Sequence, residues 1–337
     1  MANRKVTIRD VAARANVSIA SVSLFLNEKP GLGDATRDRI ADAIESLGYL
    51  PRRAAPISDP RFIGLLIEKL PLSPFSDMFY GEVIQGIDAY TKEVGYHIAL
   101  IVVEKDQPVP RLIEEHNGGL GGIVVLGGGD ISQNIITTVV REKLPAVMVD
   151  SYMSDVPIDA VLPDYITGAS QATQYLLQQG YRRIAFLHGS SRYRSLVERF
   201  HGYCAALNDA GMPLDPALIQ PYLSKGLPTK GFHEMKALLE SGTQFDAVFC
   251  VSDRTAFGAL QALQEAGLRV PDDVAVVGFD NVAQSSHTTP PLTTVNVPKR
   301  AMGEIAVHRL FEIMDGQVFD LPVKHMLPTS LVVRSSA

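Results

Sequence analysis

The chain of 337 residues has no tryptophan and only two cysteines, Cys204 and Cys250. Two cysteines cannot form a disulfide framework, and each lies in an apolar stretch, so free buried thiols are expected. No apolar run reaches the ~18 residues that a membrane-spanning helix needs, so no membrane partner is expected. The opening Met1-Ala2-Asn3-Arg4-Lys5 leads into a charged amphipathic segment with no apolar signal region. The expectation is a cytoplasmic protein with reduced thiols. The eight histidines, at 97, 116, 188, 201, 233, 287, 308 and 325, lack metal-ligand spacing, so no metal site is expected. The glycines at 118, 119, 121, 122 and 127 to 129 contain no GxGxxG; Gly127–Gly129 follows an apolar run and reads as a tight strand-to-helix turn. Ser190 and Ser191 follow His188-Gly189 without the GxSxG of a nucleophile elbow. No carboxylate pair is specific enough for acid–base work. The sequence therefore reads as a non-enzyme that needs no cofactor.

Hydrophobic residues make up 46% of the chain and charged residues 20%, which suits a globular protein and excludes a disordered one. The length exceeds one compact core and fits roughly two to three domains. The net charge of −6 argues against a protein that coats nucleic acid over its whole surface. The charge is uneven, however. Residues 1–61 hold ten Lys/Arg and seven Asp/Glu, a balance of +3, which leaves −9 for the remainder. A small basic module on an acidic body is the electrostatic outline of a nucleic-acid reader joined to a sensor.

The first fifty residues predict three short helices. Thr7-Ile8-Arg9-Asp10 fits a capping box, and Ile8, Val11, Ala12 and Ala15 share one helical face. Ala15-Asn16-Val17 makes a break, and Ser18 is a good N-cap for a helix over Ile19 to Asn27. In that helix Val22, Phe25 and Leu26 can face a core, leaving Ile19, Ala20, Ser21, Ser23 and Leu24 toward the outside. Turn formers from Glu28 to Gly33 precede a third helix, with Asp34 as N-cap and Gly48 as its stop. Two helices about a short turn, followed by a third, suit either a helix-turn-helix or an ordinary small bundle.

The runs Val6-Thr7-Ile8-Arg9-Asp10-Val11-Ala12, Ala15-Asn16-Val17-Ser18, Ser21-Val22-Ser23 and Leu26-Asn27 decide between the two. With Thr36-Arg37, Ile40 and Leu47-Gly48-Tyr49-Leu50-Pro51, they resemble the DNA-binding head of the lactose-repressor (LacI/GalR) family. The resemblance implies a second helix in the major groove, with Ile19, Ala20, Ser21, Ser23 and Leu24 reading base edges. Phosphate contacts are expected from Thr7, Ser18, Ser23 and Asn27, and from helix N-termini. Leu24 stands where the family usually has arginine. The reading face therefore lacks a bidentate group, and thymine-methyl contacts and DNA shape are expected to carry its specificity. The linker departs as well: Arg52 fills the family's asparagine slot, Ser58 its leucine slot, and Pro56 falls inside the usual hinge helix. A stiffer linker is expected, with Arg52 and Arg53 supplying charge along the groove and Ile57 as an alternative wedge.

From Phe62 onward, apolar strand-like runs alternate with amphipathic helices. Strands are expected at Phe62–Ile67, His97–Val103, Gly122–Leu126, Ala146–Asp150, Val161–Asp164, Arg183–His188, Ala247–Ser252 and Val274–Phe279. Such alternation predicts doubly wound parallel sheets, and a switch near 161–164 predicts two lobes. The landmarks Phe79-Tyr80 ahead of Gly86-Ile87, Arg199-Phe200-His201-Gly202-Tyr203, Ser252-Asp253-Arg254, Gly278-Phe279-Asp280-Asn281 and Pro290 to Val295 resemble the same family's effector domain. That domain is an α/β body of the type I periplasmic-binding-protein kind. The resemblance implies an all-α helix-turn-helix head over 1–50, a linker over 51–61 and an effector and dimerisation domain over 62–337. Its N-lobe is expected at about 62–162 and 292–321, and its C-lobe at about 163–291 and 322–337. Ligand is expected at the carboxyl ends of the strands, between the lobes.

The family positions nominate Arg199, Asp280, Ser252 and Asp253, with Asp150 and Asp164 at strand ends, Phe79 and Tyr80 on the N-lobe wall, Glu68 ending the first strand, and Ser195. Arg and Asp suit a hydroxyl-rich ligand, so a sugar or sugar derivative is expected. Lys299 stands where an apolar residue is frequent; it either pairs with Glu68 or meets an anionic ligand. The aromatic lid common ahead of Gly231-Phe232 is replaced by Lys225-Gly226-Leu227-Pro228-Thr229. The implied protein is a ligand-responsive transcriptional regulator, read as a repressor by that likeness, which binds a pseudo-palindromic double-stranded operator as a homodimer or tetramer.

Overall fold

The computed structural model describes residues 8–26, 32–47, 62–68, 77–103, 120–127, 133–153, 155–223, 230–317, 319 and 321–337. The chain forms two compact units, Met1–Ser58 and Asp59–Ala337. The expected linker, with Arg52, Arg53, Pro56, Ile57 and Ser58, lies outside the described residues.

The first unit contains α1 (Ile8–Ala15), α2 (Ile19–Leu26) and α3 (Asp34–Leu47). Val11, Ala12, Ala15, Val22, Ile40 and Ala43 form its buried core, with Val17, Phe25, Leu32, Ile44 and Leu47 packed around them. Complete burial of a Val or Ile contributes ~1.5–3 kcal/mol, so Val11, Val22 and Ile40 account for much of what holds so small a unit together. The turn between α1 and α2 uses Asn16 at φ +53, a left-handed conformation that asparagine tolerates. The Ser18 hydroxyl accepts the Ser21 N–H at 3.0 Å, which caps α2 as expected. The cap of α3 differs from expectation: Thr36 and Arg37 donate to the Gly33 carbonyl, and Asp34 is the first helical residue, where its charge suits the helix dipole.

The second unit holds two six-stranded sheets. The N-lobe sheet contains β1 (Phe62–Glu68), β2 (His97–Val103), β3 (Gly122–Leu126), β4 (Ala146–Val149), β5 (Asp159–Pro163) and β11 (Lys324–Leu327), in the order β11-β5-β4-β3-β1-β2. The C-lobe sheet contains β6 (Ile184–Leu187), β7 (Ile219–Gln220), β8 (Ala247–Cys250), β9 (Ala275–Asp280), β10 (Thr293–Asn296) and β12 (Ser330–Val332), in the order β12-β10-β9-β8-β6-β7. All the pairings are parallel except that of β10 with β12. The middle strands are apolar on both faces because helices cover both. The edge strand β2 is the exception, leaving Leu100 and Val102 exposed although the run His97–Val103 is almost wholly apolar.

Among the described residues the helices of the N-lobe are α4 (Tyr80–Glu93), α5 (Gln133–Arg141) and α10 (Lys299–Met314); those of the C-lobe are α6 (Tyr165–Gln178), α7 (Arg194–Asp209), α8 (Phe232–Glu240) and α9 (Asp253–Glu265). The pair α4 and α10 touches backbone to backbone: a Cβ on Gly86 would lie 2.1 Å from the Arg300 carbonyl oxygen. The sheet membership moves two of the expected lobe boundaries. Because β10 belongs to the C-lobe sheet and β11 to the N-lobe sheet, the chain crosses after Asn296 and after Leu327, not near Pro291 and Leu321. The crossing between Pro163 and Tyr165 falls where the switch was expected. Asp164 donates its N–H to the Leu327 carbonyl, and Thr329 donates to the Asp164 carbonyl, so two of the three crossings are bonded together. Cys250 is buried, but Cys204 is only half-buried, contrary to expectation; both are free thiols.

Candidate functional site

On α2, Ile19 is 46% exposed, Leu24 is half-buried outside the core cluster, and Ser21 shares a hydrogen bond between hydroxyls with Ser18 at 2.9 Å. An apolar side chain open to solvent at the start of α2 is what methyl contact in a groove requires. Thr7, Asn27, Arg52 and Arg53 lie outside the described residues, as do the side chains of Ala20 and Ser23.

In the body, one constellation forms where β4, β9 and the starts of α4, α6 and α7 converge. Asp150 follows β4 at φ +69, and its carboxylate accepts hydrogen bonds from the Tyr80 hydroxyl at 2.9 Å and from the Tyr165 hydroxyl. Gly127, at φ +71, leaves room for that arrangement, since a Cβ there would lie 2.7 Å from the Tyr80 hydroxyl. Burial pushes the Asp150 carboxyl up to about 6, against the lowering effect of the Tyr165 bond, the Arg199 charge and the Tyr80 bond. Burial and the Asp150 charge hold both tyrosines well above their ordinary range. The hydroxyls therefore stay protonated and donate.

Arg199 of α7 lies almost wholly buried over the Phe279 ring at 4.0 Å and the Tyr165 ring at 5.0 Å. Its Nη1 donates to the Val251 carbonyl at 2.7 Å, and its Nη2 lies 2.8 Å from Asp280 Oδ1. That ion pair is close in distance but lacks hydrogen-bond alignment, and the buried Nε has no partner. Burial opposes the charge on Arg199, and Asp280, Tyr165 and Asp150 more than restore it. Asp280 itself sits at φ +119, a strained position for a non-glycine residue, at the carboxyl end of β9. Phe79 meets Tyr80 edge to face at 5.2 Å, and Ser195 is buried in the first turn of α7.

Other nominated residues are engaged elsewhere. Asp164 caps α6 through the Thr167 N–H at 3.0 Å, and Ser252 caps α9 through the Thr255 N–H at 3.3 Å. Asp253 has no exposed surface; it accepts from the Val282 N–H, the Ser285 hydroxyl and the Thr294 hydroxyl. Its place is behind the cleft, fixing the loop after β9, rather than in it. Burial and the nearby Asp280 push its carboxyl up to about 7. Lys299 donates to the Asp280 and Asn281 carbonyls at 2.7 and 3.2 Å and lies 3.4 Å from Glu82. Its ammonium is therefore committed to Glu82 and the backbone; the side chain of Glu68, its other expected partner, lies outside the described residues. Among the described residues no group of His, Cys, Asp and Glu could hold a metal ion.

Residues 7–52 match the profile of the bacterial regulatory proteins of the lacI family, and residues 173–337 match the periplasmic binding protein-like domain. The regulator RegA of Clostridium saccharobutylicum is 30% identical over 339 residues, covering 98% of each chain. The chain belongs to the lacI family. A solved CelR–cellobiose complex is 31% identical, covers 98% of this chain and all of that one, and superposes with a TM-score of 0.75. A lac repressor dimer bound to operator and the anti-inducer ONPF is 25% identical, covers 99% of each chain, and gives 0.71. This LacI-family member is thus a helix-turn-helix transcriptional regulator under ligand control, and the family is not one of enzymes.

Several residues of this regulator's cleft escaped sequence reasoning. Tyr165 joins Asp150 to Arg199. Asp77 holds the first turn of α4 through the Phe79 and Tyr80 N–H groups, each at 2.9 Å, and reaches Arg254 of the C-lobe at 3.0 Å. Tyr152 of the N-lobe lies under the Arg194 guanidinium at 4.0 Å and donates to Glu198 at 3.4 Å. An aspartate three residues before a helical tyrosine was a readable capping signal for Asp77. The other contacts join residues far apart in sequence and leave no local trace.

Proposed function

We propose that this regulator is controlled by a hydroxyl-rich ligand, a sugar or sugar derivative, held between its lobes. The observation that carries the reading is the Arg199–Asp280 pair laid on the Phe279 ring, with Asp150 on the opposing lobe. Arg199 supplies donors, Asp280 and Asp150 supply acceptors, and aromatic faces pack against the C–H surface of a sugar ring. Phe79, Tyr80 and Ser195 complete the walls. Asp164, Ser252, Asp253 and Lys299 act as positioning residues at strand and helix ends, and Glu68, at the end of β1, is a further ligand contact. The cellobiose complex of the CelR structure supports this ligand class.

The head reads DNA through Ile19, Ala20, Ser21, Ser23 and Leu24, with Thr7, Ser18, Asn27, Arg52 and Arg53 on phosphates. A cytoplasmic homodimer places two heads on a pseudo-palindromic operator. The operator-bound lac repressor dimer supports this arrangement, as do the exposed Leu100 and Val102 on edge strand β2, an apolar surface suited to a second copy. Ligand acts through its differential affinity for open and closed lobes. Operator-shift assays on the full-length protein, with and without cellobiose and ribose, test the control. Loss of any ligand effect in Arg199→Met supports the cleft, and an undiminished effect overturns it. Uracil-for-thymine replacement in the half-site is expected to weaken binding; unchanged affinity sinks the methyl-contact reading.

A further inference from the structure

The amino ends of β4 and β5, at the far end of the N-lobe sheet from the cleft, border a second cavity of about 360 Å³. That volume is enough for a small organic molecule. Its floor is built and satisfied. Arg309 of α10, 3% exposed, donates to Asp159 at 2.7 Å and to Glu312 at 2.8 Å, and Asp159 also accepts the Val323 N–H at 2.8 Å. Pro145, Pro157 and Pro322 stand in the wall with Leu144 and Ile158. Proline has a fixed φ and no N–H to satisfy, so such a wall is stiff and apolar. Phe319 and Leu321 line the cavity as well, although they are 68% and 76% exposed, and the Arg309 guanidinium lies 4.9 Å from the Phe319 ring.

The remaining charged residue of the lining is Lys143, which is exposed. Its backbone position is unusual. The second residue after each of α4, α6, α7, α8, α9 and α10 is a glycine at φ between +67 and +98: Gly95, Gly180, Gly211, Gly242, Gly267 and Gly316. After α5 the same position is Lys143, at φ +55. The turn is of one kind. Lys143 and Leu144 donate their N–H groups to the Val140 and Val139 carbonyls, as Gly180 and Tyr181 do to those of Leu177 and Leu176. A Cβ on any of the six glycines would meet nothing within 4 Å, so backbone conformation, not space, selects glycine there. A lysine in that conformation is strained, and strain of this kind concentrates where a side chain is used. Arg309 is spent on Asp159 and Glu312, which leaves Lys143 as the charge for a ligand.

We propose that this cavity is a second ligand site, separate from the cleft, for a small monocarboxylate with an aromatic or aliphatic body, and that Lys143 receives the carboxylate. The body of the ligand lies against Phe319, Leu144 and Ile158 and covers apolar surface otherwise open to solvent. One lysine among apolar walls suits a single negative charge and disfavours a doubly charged phosphate ester. A second copy of the chain is the poorer occupant: the edge strand suited to it is β2, whereas the cavity lies toward the opposite edge strand, β11. The site does not depend on what the cleft binds.

The test uses full-length protein, isothermal titration and thermal shift. The probes are benzoate, phenylacetate and hexanoate, each against its neutral amide: benzamide, phenylacetamide and hexanamide. At least one acid is expected to bind about tenfold more tightly than its amide. K143G is expected to cancel that preference, and K143R to keep most of it. Without ligand, K143G is expected to melt about 2 °C higher, because glycine relieves the left-handed position. A gain in stability joined to a loss of binding is a result that a merely structural lysine would not give. A lower melting temperature for K143G overturns the proposal by showing that Lys143 serves the fold. Acids and amides bound alike, an acid preference that survives K143G, or no binding by any probe overturns it as well. Sedimentation velocity addresses the other occupant: F319S is expected to leave the oligomeric state unchanged, and a change overturns the ligand site in favour of a protein interface. None of these outcomes bears on the sugar reading of the cleft.

Discussion

The N-lobe sheet, β11-β5-β4-β3-β1-β2, and the C-lobe sheet, β12-β10-β9-β8-β6-β7, follow the same order position for position, yet their carboxyl ends are equipped differently. The C-lobe end is built from charges fixed by other protein groups. Arg199 is held by Val251, Phe279 and Asp280; Asp253 by Val282, Ser285 and Thr294; Arg334 by the Leu292 carbonyl and Asn281. At the N-lobe end stands Asp150, and one of its two tyrosine donors, Tyr165, stands at the first crossing into the other lobe. A ligand therefore finds the C-lobe pre-organised, whereas the N-lobe group is completed from across the hinge. Pre-organisation of this kind lowers the cost of binding.

The largest test of that division is Arg199→Met. Breaking a buried pair leaves Asp280 uncompensated and costs ~3–5 kcal/mol of stability. Urea unfolding is expected to show that loss, and titration with ligand about a hundredfold loss of affinity. Unchanged affinity would move the main grip to the N-lobe.

The two carboxyls raised by burial separate the lobes by pH. Each has a folded-state pKa above its unfolded value, to about 6 for Asp150 and about 7 for Asp253. The folded protein is thus favoured while they stay protonated, fully so below ~4, and loses that advantage as pH rises through those values. The contribution is of the order of 3 kcal/mol for Asp150 and about 4 kcal/mol for Asp253. In unfolding measured from pH 4 to 8, Asp150→Asn is expected to flatten the fall ending near pH 6, and Asp253→Asn the one ending near pH 7. Equal curves for wild type and both variants would sink the assignment.

Tyr165→Phe removes the donor that joins the lobes at Asp150, with an expected loss of ~1–2 kcal/mol and about tenfold weaker ligand binding. An effect no larger than that of a remote surface mutation would leave the N-lobe independent of the hinge. The smallest effect belongs to the partly exposed Asp77–Arg254 contact between lobes. A double-mutant cycle with Asp77→Asn and Arg254→Gln is expected to give ~0.5–1 kcal/mol of coupling. A null result would leave closure to the Tyr152–Arg194–Glu198 contact.

Sequence reading reached the sheets through their apolar periodicity. His97–Val103 and Gly122–Leu126 fall where they were expected, because long apolar runs encode their own element. The short strands β7, β10, β11 and β12 carried too little pattern, and the lobe boundaries slipped with them. In the cleft, Arg199 and Asp280 were legible from their landmark motifs. Ser252, Asp253 and Lys299 stood at the same kind of landmark but are spent on a helix cap, a loop and carbonyl oxygens. Residue type alone does not tell a group that faces solvent from one that faces its own backbone.

The three crossings between the lobes, at Pro163–Tyr165, after Asn296 and after Leu327, limit the degrees of freedom of closure. Thr329 and the Asp164 N–H lock two of them side by side. A single tether permits tumbling, and two permit twisting. Three short tethers, two of them fastened together, leave mainly a bend about one axis through their midpoints. Ligand free energy at the cleft is then converted into a single angular displacement, whose amplitude grows with distance from that axis.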